Sequence, residues 1–366
     1  MAGPRKVIFL YWGRTNALTP YVLGVHRAAL AMPEVDPLLC ISRQKDDFPT
    51  LAALGDSVIG VDTFRGAAGA LGAAWRIALL RNQLSRLVRE RGIELAVTLM
   101  PHVWSSLVAS AIRGAGARYV SIVHDAAAHP GDRTGFVNGL LLRDARVADR
   151  VVALSESVRD LVVASGVVPA ERVTTLFLPD FDYDARIPPP PGPGEPFRLL
   201  FLGRIMAYKG LGLLIEAIEL LRARGLDVAL GVYGGGSLEQ HDSRLRALGA
   251  TVVNRWLTDA DIAEALSTHH AMALSYTEAS QSGVAAVASG AGLPAIATPV
   301  GGLREQVVDG VDGVLAMAPT AEAFADAAQR LIADRTLYAA IRSRLASGSD
   351  RSPARFVREL LAAALG

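Results

Sequence analysis

The chain reads as an α/β protein of two doubly wound domains facing each other across a cleft, followed by a C-terminal helix. Three observations predict this. Short apolar, β-rich runs alternate with longer helical patterns along the sequence, the signature of parallel sheets covered on both faces. The alternation stops once, at Ile187-Pro-Pro-Pro-Pro-Gly-Pro-Gly-Glu-Pro196, where proline excludes both helix and central strand, and then restarts. A length of 366 residues suits two cores at roughly 150 residues each.

The first domain, residues 1–186, is predicted to contain strands at 7–11, 38–41, 95–99, 118–123, 150–154 and 174–178. The second, residues 187–350, has them at 198–202, 228–233, 251–254, 272–276, 295–298 and 314–317. Residues 351–366 form a last helix, opened by Ser352-Pro353 and expected to pack back on the first domain.

Composition excludes several classes. Hydrophobic residues make up 51%, charged residues 20%, and 37 Lys+Arg against 36 Asp+Glu leave a formal charge of +1. That rules out a disordered chain, and no nucleic-acid partner is expected from so small a charge. The single cysteine, Cys40, permits neither an internal disulfide nor a Cys-based zinc site. The N-terminus lacks a signal peptide's layout, and no apolar run approaches the ~20 residues of a spanning helix. A cytoplasmic location is expected, with any membrane contact peripheral, at the inner face.

Strand-end loops are where a doubly wound domain binds ligands. The loop Phe201-Leu-Gly-Arg-Ile-Met-Ala-Tyr-Lys-Gly210 sets Arg204 and Lys209 ahead of a helix start, a combination suited to a diphosphate. Only Lys6, Lys45 and Lys209 occur among the 37 basic residues, so a lysine here stands out. A solvated loop with two surface cations is the alternative. Gly235 lies in Val232-Tyr-Gly-Gly-Gly-Ser237, where glycines let backbone approach a ligand or simply turn the chain. The spacing of a dinucleotide fingerprint is absent there, which disfavours a nicotinamide oxidoreductase. Further on, Tyr276-Thr-Glu-Ala-Ser-Gln-Ser-Gly283 places a carboxylate before a small-residue helix, and Pro294-Ala-Ile-Ala-Thr-Pro-Val-Gly-Gly-Leu-Arg-Glu305 supplies a second glycine loop.

Taken in order, these segments resemble the glycosyltransferase family 4 group of retaining, nucleotide-sugar-dependent enzymes, whose GT-B fold has two Rossmann-like domains. The resemblance covers nearly the whole chain. It implies that Arg204 and Lys209 hold the donor diphosphate, that Glu278 hydrogen-bonds hydroxyls of the transferred sugar, and that Ser282, Gly283 and Val284 present N–H groups to the phosphates. Glu305 matches the family's Gly-Gly-x-x-Glu and is placed with the donor-binding residues, a structural role being the alternative, and Gly13 matches its N-terminal glycine loop. His124, in Ser121-Ile-Val-His-Asp125, matches the strand-end histidine near the reacting sugar and is the catalytic candidate beside Glu278; a structural histidine is the alternative. Arg14 and His129 are assigned to the acceptor side, with a plain surface arginine the alternative for Arg14. One departure stands out: the family's second glutamate, eight positions after Glu278, falls on Ala286, which leaves ribose recognition without its usual carboxylate.

The implied activity is transfer of a hexose from a nucleoside diphosphate sugar, UDP ahead of GDP, to a glycan or lipid-linked acceptor in polysaccharide or glycolipid assembly. No cofactor and no metal are expected. A nucleotide-sugar epimerase of the same architecture and a non-catalytic nucleotide-sugar-binding partner are the rivals. Asp180-Phe-Asp-Tyr-Asp184 imitates a metal-binding Asp-x-Asp but reads as a solvated hinge, and His269-His270 lacks acidic or Cys partners at ligand spacing. The helix predicted at 71–91 carries Arg76, Arg81, Arg86, Arg89 and Arg91 beside apolar positions, a pattern suited either to an anionic membrane surface or to a sheet-docked helix with a solvated basic rim.

Overall fold

The computed structural model describes residues 3–13, 18–66, 69, 72–125 and 142–366. Arg14 and His129 therefore lie outside the described residues. The chain up to Pro179 together with Pro353–Gly366 forms one compact unit, and Asp180–Ser352 forms the other. The division precedes the proline run because the chain is already tied to the second unit there. Asp180 N–H donates to the Arg351 carbonyl at 3.0 Å, and Phe181 N–H to that of Ala286 at 3.2 Å.

The N-terminal unit holds β1 (Arg5–Tyr11), β2 (Val35–Ser42), β3 (Val58–Val61), β4 (Leu95–Met100), β5 (Arg118–Val123), β6 (Arg150–Ala153) and β7 (Val173–Thr175), paired in the order β3-β2-β1-β4-β5-β6-β7. Every pairing is parallel, and the central strands are apolar on both faces because helices cover both. Between them run α1 (Thr19–Leu30), α2 (Phe48–Ala52), α3 (Arg76–Arg91), α4 (Ser105–Gly114) and α5 (Glu156–Ala164). The sequence misses β3. It is a four-residue edge strand, half-exposed over three of its positions, and so carries almost no apolar signal. Helix α3 buries Leu80, Leu84 and Val88 and ends at Gly92, whose φ of 65° no β-carbon would tolerate cheaply.

The C-terminal unit repeats the plan with β8 (Phe197–Leu202), β9 (Val228–Tyr233), β10 (Thr251–Val253), β11 (Ala271–Leu274), β12 (Ala295–Ala297) and β13 (Gly313–Leu315), again parallel, ordered β10-β9-β8-β11-β12-β13. Its helices are α6 (Leu211–Ala223), α7 (Asp242–Ala247), α8 (Asp259–Thr268), α9 (Gly283–Ala291), α10 (Leu303–Gln306), α11 (Ala321–Ala333) and α12 (Arg335–Ala346). Start signals are local: Thr258 and Asp261 close a capping box on α8, and Thr320 caps α11.

The last helix, α13 (Pro353–Leu365), belongs to the N-terminal unit and lies along α1. Tyr21 and Phe356 meet edge to face at 6.2 Å, and a β-carbon on Gly24 would stand 3.3 Å from the Pro353 ring. Among the described residues no helix is long and apolar enough to cross a membrane. Strand order reverses between β1 and β4 in one unit and between β8 and β11 in the other, and loops leaving strands at such a reversal form the ligand crevice of a doubly wound sheet.

Candidate functional site

In the C-terminal unit the loop after β8 is zipped onto the exit of β11. Thr277 N–H donates to the Tyr208 carbonyl at 2.7 Å, and Ser275 Oγ reaches the carbonyls of Lys209 (3.1 Å) and Gly210 (3.0 Å). Gly210 opens α6 at a φ of 65°, and a β-carbon there would fall 1.9 Å from the Ser275 carbonyl oxygen. Only glycine allows the two strand ends to close so tightly.

This zipper buries Lys209. It is 7% exposed, and its ammonium donates to the Tyr276 hydroxyl at 2.9 Å. Among the described residues no carboxylate pairs with it. The contrast is Lys45 in the other unit, equally buried but neutralised by Asp47 at 2.8 Å. A buried ammonium with only a neutral partner is costly, and an anionic ligand removes the cost.

The amino end of α9 converges on the same point. A β-carbon on Gly203 would lie 3.1 Å from Lys209 Nζ and 3.5 Å from Val284 Cγ2, so the β8 loop and α9 meet across a glycine. Ser282 caps α9, its Oγ accepting from Ala285 N–H at 3.3 Å and donating to the Tyr276 hydroxyl at 3.1 Å. The Ser282 backbone departs from its expected role at the phosphates. The Ser282 N–H is not available to a phosphate, because it donates to Gln306 Oε1 at 2.6 Å while Gln306 Nε2 donates back to the Ser282 carbonyl at 3.0 Å. Gly283 and Val284 are the first-turn amides left pointing out of the helix. Gln306 itself went unnoticed in the sequence, since a glutamine beside the matched Glu305 has no local signature; its buried position could be found only from the fold.

Arg204 and Glu278 are exposed at the ends of β8 and β11, and neither has a hydrogen bond or ion pair to a described residue. Glu305 is exposed on α10. Gly235 behaves differently from its neighbours. A β-carbon on Gly234 would fall 2.0 Å from the Gly203 carbonyl, and one on Gly236 2.5 Å from that of Ile205, whereas one on Gly235 meets nothing closer than 3.5 Å. The triplet packs against the Arg204 loop, with the Gly235 carbonyl accepting from Ile205 N–H at 2.9 Å.

In the N-terminal unit Gly13 follows β1, where a β-carbon would press the Tyr11 ring at 3.1 Å. His124, at the end of β5, sends Nε2–H to the Leu99 carbonyl at 2.6 Å and meets Tyr21 edge to face at 5.3 Å. Burial holds its pKa down to about 4, so the ring is neutral at physiological pH. Its Nδ1 is buried with no donor among the described residues, which leaves an acceptor lone pair for a hydroxyl.

A second histidine escaped the sequence reading. His102, beyond β4, sits within an aromatic collar, its ring 5.9 Å from Trp12, 5.0 Å from Phe64 and 6.1 Å from Trp104. Its Nδ1 accepts from Trp104 N–H at 3.2 Å, and burial lowers its pKa to about 4, so Nε2 carries the proton. Pro101-His-Val-Trp104 after a predicted strand is the signal that could have found it.

The two imitations of metal sites are structural. Asp180 is buried, contrary to a solvated hinge. It accepts from Ser289 Oγ at 3.0 Å and pairs with Arg351 at 3.6 Å, whereas Asp182 and Asp184 are exposed. His269 bonds the Ala265 carbonyl through Nδ1 at 2.7 Å, and His270 accepts from Arg198 N–H at 2.9 Å. Among the described residues no cluster of three or more metal-ligating side chains occurs.

The two doubly wound units, with loops gathered where strand order reverses, define the GT-B architecture. Residues 29–177 match the family model described as Glycosyltransferase Family 4, and residues 196–334 that of Glycosyl transferases group 1. The chain belongs to the family 4 type of GT-B glycosyltransferases. A D-inositol 3-phosphate glycosyltransferase of Xylanimonas cellulosilytica is 31% identical over 258 residues, 59% of this chain and 57% of that protein. A GDP-mannose-dependent alpha-(1-6)-phosphatidylinositol monomannoside mannosyltransferase of Mycolicibacterium smegmatis is 32% identical over 183 residues, 46% and 47% of the two. The chain thus spans about half the length of the curated relatives it matches. Anabaena HepE, solved with UDP and glucose, is similar in fold with a TM-score of 0.71 at 19% identity, covering 99% of both chains.

Proposed function

We propose that the protein is a retaining glycosyltransferase that moves a hexose from a nucleoside diphosphate sugar, a UDP-sugar ahead of a GDP-sugar, to a hydroxyl of a glycan or lipid-linked acceptor. The observation that carries this reading is the buried Lys209 ammonium, without a carboxylate partner, beside the open amides of α9. Negative charge grows on the departing diphosphate as the glycosidic bond lengthens. Lys209 and the N–H groups of Gly283 and Val284 meet it from fixed positions, the electrostatic preorganisation that lowers a barrier most, and the exposed Arg204 adds a second cation as it closes on the phosphates. These charges do the work of a divalent ion, so turnover is expected to continue in a chelator.

Glu278 is assigned to hydroxyls of the transferred sugar, and His124 Nδ1 to a further hydroxyl. Attack on the face that the diphosphate leaves, with the leaving phosphate taking the acceptor proton, requires no protein nucleophile. Arg14 and His129 remain acceptor-side assignments. The names of the relatives, inositol phosphate and phosphatidylinositol mannoside enzymes, favour a polyol or lipid-linked acceptor. The outer face of α3 supports peripheral contact with anionic lipid, since Leu79 is 58% exposed, Trp75 just ahead of the helix is 63% exposed, and Arg76 stacks on the Trp75 ring.

The test is turnover of a panel of UDP- and GDP-sugars with and without inositol phosphates and lipid-linked glycans, with product anomers read by NMR. Transfer with retained configuration, abolished in Lys209→Ala, is expected. Sugar conversion without any acceptor would replace this reading with an epimerase, and donor binding without turnover would replace it with a binding partner.

A further inference from the structure

The loop that carries Glu278 holds one side chain the proposed reaction does not use. Gln281 Oε1 is shielded from solvent and accepts no hydrogen bond from any described residue. The residue is half-buried, and its backbone is clamped on both sides. Gly302 N–H donates to the Ala279 carbonyl at 3.0 Å, a β-carbon on Gly302 would lie 3.2 Å from Gln281 Cα, and Gln306 brackets Ser282. A buried amide oxygen left without a donor is unfavourable by about tenfold or more in an equilibrium, so an unpaired acceptor in the loop of Glu278 asks for a donor from the ligand.

Helix capping says where this residue stands. Ser282 is the N-cap of α9, so Gln281 is the residue before the cap and Ala286 the fourth helical residue. Helix entries bring those two positions together. Ala286 is buried and contributes only a methyl group, at the position where the sequence departs from a carboxylate. A glutamine reaching in from before the cap can present its oxygen where a longer side chain at 286 would otherwise be.

We infer that Gln281 Oε1 accepts a hydrogen bond from a hydroxyl of the bound nucleotide sugar, in place of a carboxylate at position 286. The inference rests on the donor-site reading above. A hydroxyl of this kind comes either from the ribose or from the transferred hexose, and the experiment separates the two.

Calorimetry on the full chain would compare UDP with its 2′-deoxy and 3′-deoxy forms and with UDP-glucose, and GDP with the corresponding set, in wild type, Gln281→Leu and Gln281→Glu. With a ribose partner, wild type binds one deoxy form about tenfold more weakly than the parent nucleotide. Gln281→Leu closes that gap and Gln281→Glu keeps it. With a hexose partner, the affinity gained from UDP to UDP-glucose is what Gln281→Leu loses. Unchanged ratios in Gln281→Leu, with pyrophosphate still raising its melting temperature to show an intact fold and diphosphate site, would overturn the inference while leaving the donor-site reading standing. Failure of wild type to bind any nucleoside diphosphate would overturn both.

Discussion

The Lys209 ammonium lies 2.9 Å from the Tyr276 hydroxyl but 4.9 Å from the centre of its ring, so it is held at the hydroxyl edge by a hydrogen bond and does not stack on the face. Because Ser282 Oγ donates to the same hydroxyl, Tyr276 joins the β8 loop to the cap of α9. Removing the cation and removing its brace should then differ in size. Lys209→Ala is expected to weaken nucleoside diphosphate binding by roughly 10- to 100-fold, and Tyr276→Phe by about 3- to 10-fold, since the charge stays but loses its fixed position. Calorimetry with UDP and GDP reads both, and full affinity in Lys209→Ala would remove the diphosphate assignment.

Gln306 holds Ser282 by both its backbone groups. Gln306→Ala leaves a buried N–H and a buried carbonyl unpaired, at a cost of about 2 kcal/mol. Hydrogen exchange should show the amides at the start of α9 losing protection while those of the β8 strand keep theirs. Equal loss everywhere would make Gln306 a general stabiliser and not a support of this loop.

His124 is neutral down to about pH 4, so its role as acceptor predicts no ionisation from this residue between pH 6 and 8. His124→Phe keeps the ring against Tyr21 but deletes the lone pair together with the Nε2–H bond to the Leu99 carbonyl, and kcat/KM should fall about tenfold or more without a change in the pH profile. A wild-type limb near pH 6.5 that vanishes in this variant would contradict the neutral ring.

Acid should destabilise the N-terminal unit first. Burial lowers the pKa of His26, His102 and His124 there to about 4; in the other unit it lowers that of His270 to about 4 and, to a lesser degree, those of His269 and His241. The unfolded chain takes up these protons near pH 6.5 and the folded chain does not, so stability present above pH 6.5 is lost as pH falls toward 4, by up to about 3 kcal/mol for a fully buried ring. Exchange of backbone amides at pH 7 and pH 5 checks the order of loss, and simultaneous loss in both units would argue against it.

Asp144 works in the opposite sense. It is fully buried, accepting from Tyr119 Oη at 2.7 Å and Ser121 Oγ at 2.6 Å, and burial raises its pKa to about 6. The folded chain therefore holds this proton first, and the carboxylate costs about 2–3 kcal/mol once pH exceeds 6. Asp144→Asn should melt higher than wild type at pH 8 and show no advantage at pH 4.5. A lower melting point at pH 8 would mean that the two hydroxyl donors outweigh the desolvation.

Much of the plan was legible because it is local or periodic. Each predicted strand overlaps an observed one, since buried parallel strands are continuous apolar runs, and β3 was lost because an edge strand is not. Lys209 was legible as a rare residue type at a strand end, and Arg204 and Glu278 as charged residues in strand-end loops that match the family's order. Gln306, Gln281 and His102 were not, because each takes its meaning from a partner far along the chain or from the lack of one.

The amino-acid sequence by itself determined two parallel α/β units, the strand ends that carry charged and glycine loops, and the family to which the chain belongs, because periodicity, turn chemistry and spacing are properties of neighbours along the chain. Only the tertiary structure decided which lysine is paired and which is not, that the Ser282 amide is already spent on Gln306, and that Asp180 is interior. Those outcomes depend on burial and on contacts between distant segments, where withdrawal from water sets the worth of each polar group.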